Sequence, residues 1–115
     1  MIDIKPFMRK TYSDQSYTCW DFVRDVYSFN KLGTLPDFTE YNHRAIPVRL
    51  KAIQDNIGMF KPCEYQEGAL CLMRYEHNPI HIGICVGGNR IAHLDYVRGV
   101  VIESVKELDI VGFWK

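Results

Sequence analysis

The chain has 115 residues, of which 47% are hydrophobic and 24% charged, and its formal net charge at pH 7 is zero. This length suits one domain over residues 1–115, because a second hydrophobic core of ordinary size would not fit. The charge balance gives no electrostatic reason to expect nucleic acid or an anionic membrane surface as a partner.

No targeting signal is visible in the sequence. Residues 1–10 hold no apolar run as long as a signal-peptide core, and no later run is long enough to span a bilayer. We therefore expect a protein that is made in the cytoplasm, lacks an export signal of its own and does not insert into membranes. Its four cysteines do not have the spacing of a disulfide framework, and we expect them all to be reduced.

The first regular element is a helix that follows an irregular N-terminal stretch. Thr18 and Asp21 have the spacing of a capping box, with aspartate in place of the usual glutamate. We predict that the helix begins at or just before Cys19 and ends between Asn30 and Gly33, which puts Cys19 in its first turn. Its apolar residues recur at helical spacing: Trp20, Phe22, Val23, Val26 and Tyr27.

Helical and strand patterns then divide the rest of the chain. A second helix is predicted over residues 47–56, because Pro47 suits a first helical position and Gly58 would end it. From Gly68 onward, short apolar runs predict strands over residues 69–73, 80–86, 90–94, 100–102 and 110–114. This order predicts an α+β domain in which N-terminal helices pack on a central antiparallel β-sheet.

The strand over residues 80–86 alternates between two faces. Isoleucines and Val86 share one face, while His81, Gly83 and Cys85 share the other, and the glycine would let a neighbouring helix approach. A turn is predicted over residues 87–89. If that loop has about three residues, His93 pairs with Gly83 and lies diagonally beside His81 on the same face; a two-residue loop would turn His93 to the other face.

Cys19 is the candidate nucleophile. The start of a helix lowers the pKa of a thiol through the helix dipole and its open N–H groups, which can also bind the oxyanion of a tetrahedral intermediate. His81 is the candidate base, since a nucleophilic thiol needs one from elsewhere in the fold. His93 is a candidate third group, provided that the hairpin has the register that puts both imidazoles on one face.

The residues around these positions resemble a known family. The stretch Tyr17-Thr18-Cys19-Trp20-Asp21-Phe22-Val23-Arg24 resembles the nucleophile helix of NlpC-type peptidases, in the papain-like superfamily, and is most similar to the version in phage tail-assembly proteins. Residues 81–87 resemble the base strand of the family, residues 90–93 its third-residue strand, and residues 99–101 and 110–114 its closing strands.

The resemblance implies a papain-like NlpC-type fold and a cysteine peptidase or amidase of the Cys-His-His type. In it, Cys19 is the nucleophile, His81 the general base and acid, and His93 the group that orients His81. The implied substrates are amide bonds of peptidoglycan stem peptides, with no metal or organic cofactor. The phage-like details imply a phage- or prophage-encoded, tail-associated cell-wall hydrolase, with tail proteins as partners and delivery to the cell envelope by the particle.

Departures from the family leave alternatives open. Thr18 and Trp20-Asp21 stand where the family commonly has Asp before the cysteine and Ser-Gly or Trp-Gly after it. The upstream tyrosine that assists the oxyanion has no clear counterpart, with Tyr12 and Tyr17 as candidates. One alternative is a tail-assembly or interaction module without useful activity. Others are an amidase effector toxin delivered into rival bacteria and an acyl transferase that uses the same three residues.

Plainer interpretations of single residues are also open. Cys19 could be a buried structural thiol, and both histidines could be satisfied structural side chains. Asp95 could orient His81 in place of His93. A zinc site can be written from Cys63, Cys71, Cys85 and histidines, but neither a close cysteine pair nor an HExxH helix supports it.

Overall fold

The computed structural model describes residues 2–13, 16–35, 60–75 and 78–115, with the backbone alone for residues 78–80. In these ranges the chain forms one α-helix, α1 (Cys19–Phe29), and six strands. The strands are β1 (Pro62–Cys63), β2 (Leu70–Tyr75), β3 (Asn78–Gly87), β4 (Arg90–Asp95), β5 (Gly99–Ser104) and β6 (Asp109–Trp114). None of the helices in these ranges has the length and apolar character needed to cross a bilayer.

The strands pair antiparallel in one sheet with the order β1-β6-β2-β3-β4-β5. Strands β2 to β5 are neighbours in the order of the sequence, and β6 then inserts between β1 and β2. The five strands predicted from the sequence are confirmed, with slightly different ends. Strand β1 was not predicted, because a strand of two residues has no alternation that a sequence pattern could reveal.

Helix α1 begins at Cys19, as predicted, because a capping box forms around Thr18 and Asp21. The backbone N–H of Thr18 donates to Oδ2 of Asp21 at 2.9 Å, and the Thr18 hydroxyl donates to the same oxygen at 3.0 Å. These bonds fix the start of the helix, and a cap of this kind contributes about 1 kcal/mol.

The helix packs on β3 and β4 and covers one face of the sheet. An apolar cluster joins the helix to the sheet. It includes Phe22, Val23 and Val26 of the helix and Ile82, Ile84, Ala92 and Leu94 of the sheet. Burial of a side chain the size of valine or phenylalanine contributes about 1.5–3 kcal/mol, so this cluster anchors the helix. A second apolar cluster includes Cys71, Met73, Cys85 and Ile91 at the alternate strand positions, which face the other side of the sheet.

The predicted fold class is wrong. The α+β, papain-like NlpC-type arrangement has N-terminal helices packed on a central sheet, whereas the described residues form mainly a six-stranded antiparallel sheet with one helix. Within these residues, helical periodicity is sustained only over α1, and the short apolar runs after Gly68 pair as strands. The second helix, predicted over residues 47–56, lies outside the described residues.

The β3–β4 hairpin has the register that brings the histidines together. Gly83 pairs with His93, as predicted for a longer loop, but Gly87 already pairs with Arg90 and leaves a two-residue turn. A bulge between Cys85 and Gly87 adds one residue to β3 and restores the predicted pairing. Both residues of the turn have positive φ, 64° at Gly88 and 58° at Asn89, which fits a tight hairpin turn.

Candidate active site

Two buried imidazoles meet at the candidate site. Nε2 of His81 in β3 lies 3.0 Å from Nδ1 of His93 in β4. Both side chains are completely buried, and their rings stand nearly perpendicular, at 87°. The structure therefore brings together two of the three residues that the sequence singled out.

The second ring nitrogen of His81 has no partner. Among the described residues, Nδ1 of His81 is a buried atom without a hydrogen bond. A buried polar atom left unpaired costs about 1–3 kcal/mol, so native proteins keep few of them. A base nitrogen held available for a proton from another group would account for it.

Glu103 of β5 extends the pair to a chain of three side chains. Its Oε1 lies 2.8 Å from Nε2 of His93, and Nη2 of Arg98 donates to the same oxygen at 3.1 Å. Sequence reasoning missed Glu103. Alternation along β5 puts it on the same face as Val101, but only the β4–β5 register, with Val101 opposite His93, shows that this face carries the histidine.

Tyr75 and a cluster of charged groups cover the histidines. The Tyr75 ring stacks on His81, with 5.0 Å between centroids, and meets His93 edge-on at 4.9 Å. Its hydroxyl donates to Oδ1 of Asp95 and accepts from Nη2 of Arg98 at 2.6 Å. Neither Tyr75 nor Arg98 lies in a sequence motif. Tyr75 reaches the site because β2 pairs with β3, and Arg98 lies in the turn between β4 and β5.

Asp95 does not occupy the orienting position. Its Oδ2 accepts from the backbone N–H groups of Val97 and Arg98, at 2.9 and 2.8 Å, and its Oδ1 accepts from Tyr75. The atom next to Nε2 of His81 belongs to His93. His93, and not Asp95, is therefore the residue in contact with Nε2 of His81.

Burial favours the neutral form of both imidazoles. Desolvation, and then the proximity of His93, lowers the pKa of His81 to about 3. Desolvation also lowers the pKa of His93, although the hydrogen bond to Glu103 opposes that shift. Burial alone would raise the pKa of Asp95, but hydrogen bonds from Tyr75 and from the backbone hold it below its ordinary value. Near neutral pH, two neutral imidazoles therefore lie close to an ionised Asp95.

Cys19 is the first residue of α1, where the backbone N–H groups of a helix are open, and it is 9% exposed. Just before it, Ser13 and Tyr17 form an antiparallel bridge. The N–H of each donates to the carbonyl of the other, at 2.8 and 2.9 Å. Such a pairing sets the flanking residues Tyr12 and Thr18 side by side.

Aromatic contacts link this N-terminal segment to the histidines. The Tyr12 ring meets the Tyr96 ring edge-on at 4.5 Å, and the Tyr96 ring lies 5.6 Å from that of His81. Since Tyr12 lies beside Thr18, the start of α1 is at the end of the sheet that carries the histidines.

The expectation that a helix approaches the strand at Gly83 is wrong. A Cβ built on Gly83 would come within 2.7 Å of Cγ2 of Ile91, 2.8 Å of the carbonyl oxygen of Ala92 and 3.1 Å of Cε of Met73. Neighbouring strands fill this space, and α1 packs on the alternate residues of β3 and β4. Helix α1, with Cys19, therefore packs on the face of the sheet opposite the side chain of His81.

No family model matches this chain, and no curated protein matches it. The NlpC-type resemblance of its motifs, with the roles that it implies for Cys19, His81 and His93, stays a prediction.

The zinc alternative gains no support. Within the described ranges, no group of three or more His, Cys, Asp and Glu side chains is placed to hold a metal ion. Desolvation by burial raises the pKa of Cys71, and it raises that of Cys85 to about 12. Both thiols are therefore protonated near neutral pH, as is usual for cysteines that pack as small apolar side chains.

Of the two tyrosines considered for the oxyanion, Tyr12 is the better placed. Tyr17 donates its hydroxyl to Oδ2 of Asp25 at 2.7 Å. Burial, and then this hydrogen bond, raises the pKa of Tyr17. Tyr12 instead contacts Tyr96, whose ring lies beside that of His81. The hydroxyl of Tyr17 is bonded to Asp25 on α1.

Proposed function

We propose that this protein is a cysteine hydrolase that cleaves amide bonds, with Cys19 as nucleophile, His81 as general base and His93 as the residue that orients His81. The observation that carries the proposal is the buried imidazole pair, in which Nε2 of His81 contacts His93 while Nδ1 has no partner among the described residues. The proposed nucleophile, Cys19, is the first residue of α1.

The reaction runs through an acyl-enzyme. The thiol proton of Cys19 passes to Nδ1 of His81 as the sulfur attacks the carbonyl carbon, and His81 then gives that proton to the leaving amine. Water next attacks the thioester, losing a proton to His81, and the thiol recovers that proton when the acid product leaves. Open N–H groups at the start of α1 stabilise the oxyanion in both halves.

The proposed substrate is the stem peptide of bacterial peptidoglycan, and the proposed setting is the tail of a phage or prophage. Support comes from the motifs around Cys19, His81 and His93, which resemble the phage version of NlpC-type peptidases. In this setting the phage particle would carry the enzyme to the cell envelope.

The test is an assay of the purified protein on soluble peptidoglycan fragments, with newly released amines counted and products identified by mass spectrometry. We expect cleavage by the wild type and by the matched control Cys63→Ser, which changes a half-buried thiol on strand β1. Cys19→Ala and His81→Ala should lose at least about 100-fold in kcat/KM. Activity that survives Cys19→Ala would refute the mechanism.

A second candidate is a tail-assembly module that does no chemistry. It is favoured by the complete burial of both imidazoles and by the bonding of Asp21, next to the nucleophile, within the helix cap. Alkylation by iodoacetamide near neutral pH separates the two. The hydrolase requires Cys19 to react faster than a free thiol and to slow down in His81→Ala, whereas the module requires neither.

A further inference from the structure

We infer that Glu103 is a positioning residue that determines which nitrogen of His81 carries the proton and leaves Nδ1 as the basic atom. Glu103 belongs to neither the nucleophile motif nor the histidine motifs. It reaches the site because β5 pairs with β4. The effect of Glu103 on catalysis rests on the proposed cysteine hydrolase. The protonation of the two histidines, however, can be observed without any substrate.

The three side chains form a hydrogen-bonded series from His81 through His93 to Glu103. The direction of each hydrogen bond follows from the last acceptor, the carboxylate of Glu103. A carboxylate oxygen only accepts, so at 2.8 Å from Glu103 the Nε2 atom of His93 must carry hydrogen. A neutral imidazole has a single N–H, so Nδ1 of His93 is an acceptor. The 3.0 Å contact then requires Nε2 of His81 to be the donor, and Nδ1 of His81 keeps its lone pair.

The opposite arrangement, with hydrogen on Nδ1 of both histidines, meets two obstacles. With hydrogen on Nδ1 of His93, its Nε2 lone pair would face the Glu103 oxygen at 2.8 Å, unless that oxygen were protonated. Arg98 also donates to this oxygen at 3.1 Å, so the oxygen already acts as an acceptor. Nδ1 of His81 would also become a buried N–H group without an acceptor among the described residues.

Other described groups near the histidines do not compete for these protons. Tyr75 and Tyr96 meet His81 through their rings. Asp95 is bonded to Tyr75, Arg98 and backbone N–H groups. Glu103 is therefore the carboxylate that orders the pair, and its side chain is 18% exposed.

The same series of hydrogen bonds stabilises His81 when it accepts the thiol proton. The imidazolium keeps its Nε2–H bonded to Nδ1 of His93, and the negative charge of Glu103 lies one ring away. No second proton has to move. Glu103 thus favours the proton transfer without touching the substrate.

The first measurement is made on the wild-type protein labelled with ¹⁵N at histidine. Long-range ¹H–¹⁵N correlation spectra distinguish a protonated ring nitrogen from a bare one near neutral pH. We expect hydrogen on Nε2 of both His81 and His93 and none on either Nδ1. Hydrogen on Nδ1 of His81 would overturn the inference, and no variant has to fold for this test.

The second measurement compares Glu103→Gln with Glu107→Gln, the same change at an exposed glutamate that follows β5. A glutamine amide can donate or accept, so Glu103→Gln should give mixed tautomers of His81 and slow the alkylation of Cys19 by about 10-fold. Glu107→Gln should match the wild type. Wild-type spectra and rates in Glu103→Gln would refute the role of Glu103.

The two proposals fail in different ways. If Cys19 proves unreactive and no amide bond is cleaved, the hydrolase proposal fails, while the tautomers of His81 and His93 still decide whether Glu103 orders them. If Cys19 is reactive and Glu103→Gln leaves both the tautomers and the pH profile of kcat/KM unchanged, the hydrolase stands and the role of Glu103 is refuted.

Discussion

The imidazoles of His81 and His93 lie 3.0 Å apart, nitrogen to nitrogen, although they belong to different strands that a tight turn connects. A stacked tyrosine and charged groups at the end of the sheet enclose the pair. Because both rings are buried and kept neutral, pH and packing are the two variables that should disturb this site most clearly.

Acidification is expected to destabilise the protein through His81. Its pKa is about 3 in the folded protein, against an ordinary 6.5. Between these values the unfolded chain binds a proton that the folded chain does not. The free energy of unfolding is therefore highest above pH 6.5 and falls as the pH falls toward 3, by up to about 1.4 kcal/mol per pH unit for this group.

Urea unfolding at about pH 7.5, 6 and 5 measures this dependence. In His81→Asn the titrating group is gone, so the pH dependence of the free energy of unfolding should lose the contribution of about one bound proton. An equal slope in the two proteins over this range would contradict the assignment of the pH dependence to His81.

Substitutions of Tyr75 should separate its ring from its hydroxyl. Tyr75→Phe keeps the ring stacked on His81 but removes the donor to Asp95, so we expect a loss of about 1–2 kcal/mol in the free energy of unfolding with little change in the titration of His81. Tyr75→Ala opens the imidazole to water and should raise the pKa of His81 toward its ordinary value. NMR titration of the histidine ring protons checks both, and a large shift in Tyr75→Phe would contradict the expectation.

Gly83→Ala should be strongly destabilising, although it adds a single methyl group. The new Cβ would lie 2.7 Å from Ile91 and 2.8 Å from the backbone oxygen of Ala92. We expect a loss of about 1–3 kcal/mol, measured by urea unfolding. In the control Gly88→Asn the backbone has a φ of 64° and the nearest atom lies 3.7 Å away, so asparagine should be tolerated within about 0.5 kcal/mol. Equal losses at the two positions would argue against close packing at Gly83.

Asp21→Ala should loosen the start of α1. It removes the acceptor of two hydrogen bonds from Thr18, and we expect a loss of about 1 kcal/mol together with slower alkylation of Cys19. Ser28→Ala is the control, because Ser28 is exposed in the same helix and alanine has the higher helix propensity. If Asp21→Ala is alkylated at the wild-type rate, the helix cap does not affect the thiol and this prediction is contradicted.

Local patterns predicted the elements that carry the candidate residues. The capping box at Thr18 and Asp21 and the apolar repeat after it give the start of α1, and the alternation over residues 80–86 gives β3 with His81 and Gly83 on one face. These predictions succeeded because helix caps and strand alternation depend on residues close together in the chain.

The fold class could not be predicted in the same way. The resemblance and the weak pattern over residues 47–56 favoured a layer of helices, whereas six paired strands and one helix form the described part of the chain. Pairing decides a sheet, and the position of β6 between β1 and β2 joins segments far apart in the sequence. No local pattern specifies that neighbour relation.

The sequence by itself determined a cysteine at the tip of a helix and two histidines on neighbouring strands, because periodicity and capping are local. Only the tertiary structure decided that His93 faces His81, since a bulge in β3 compensates for a turn shorter than this register was expected to need. It also decided that Glu103, Arg98 and Tyr75 join the histidines. The physical reason is that strand register and side-chain hydrogen bonds between strands form only when distant segments pack together.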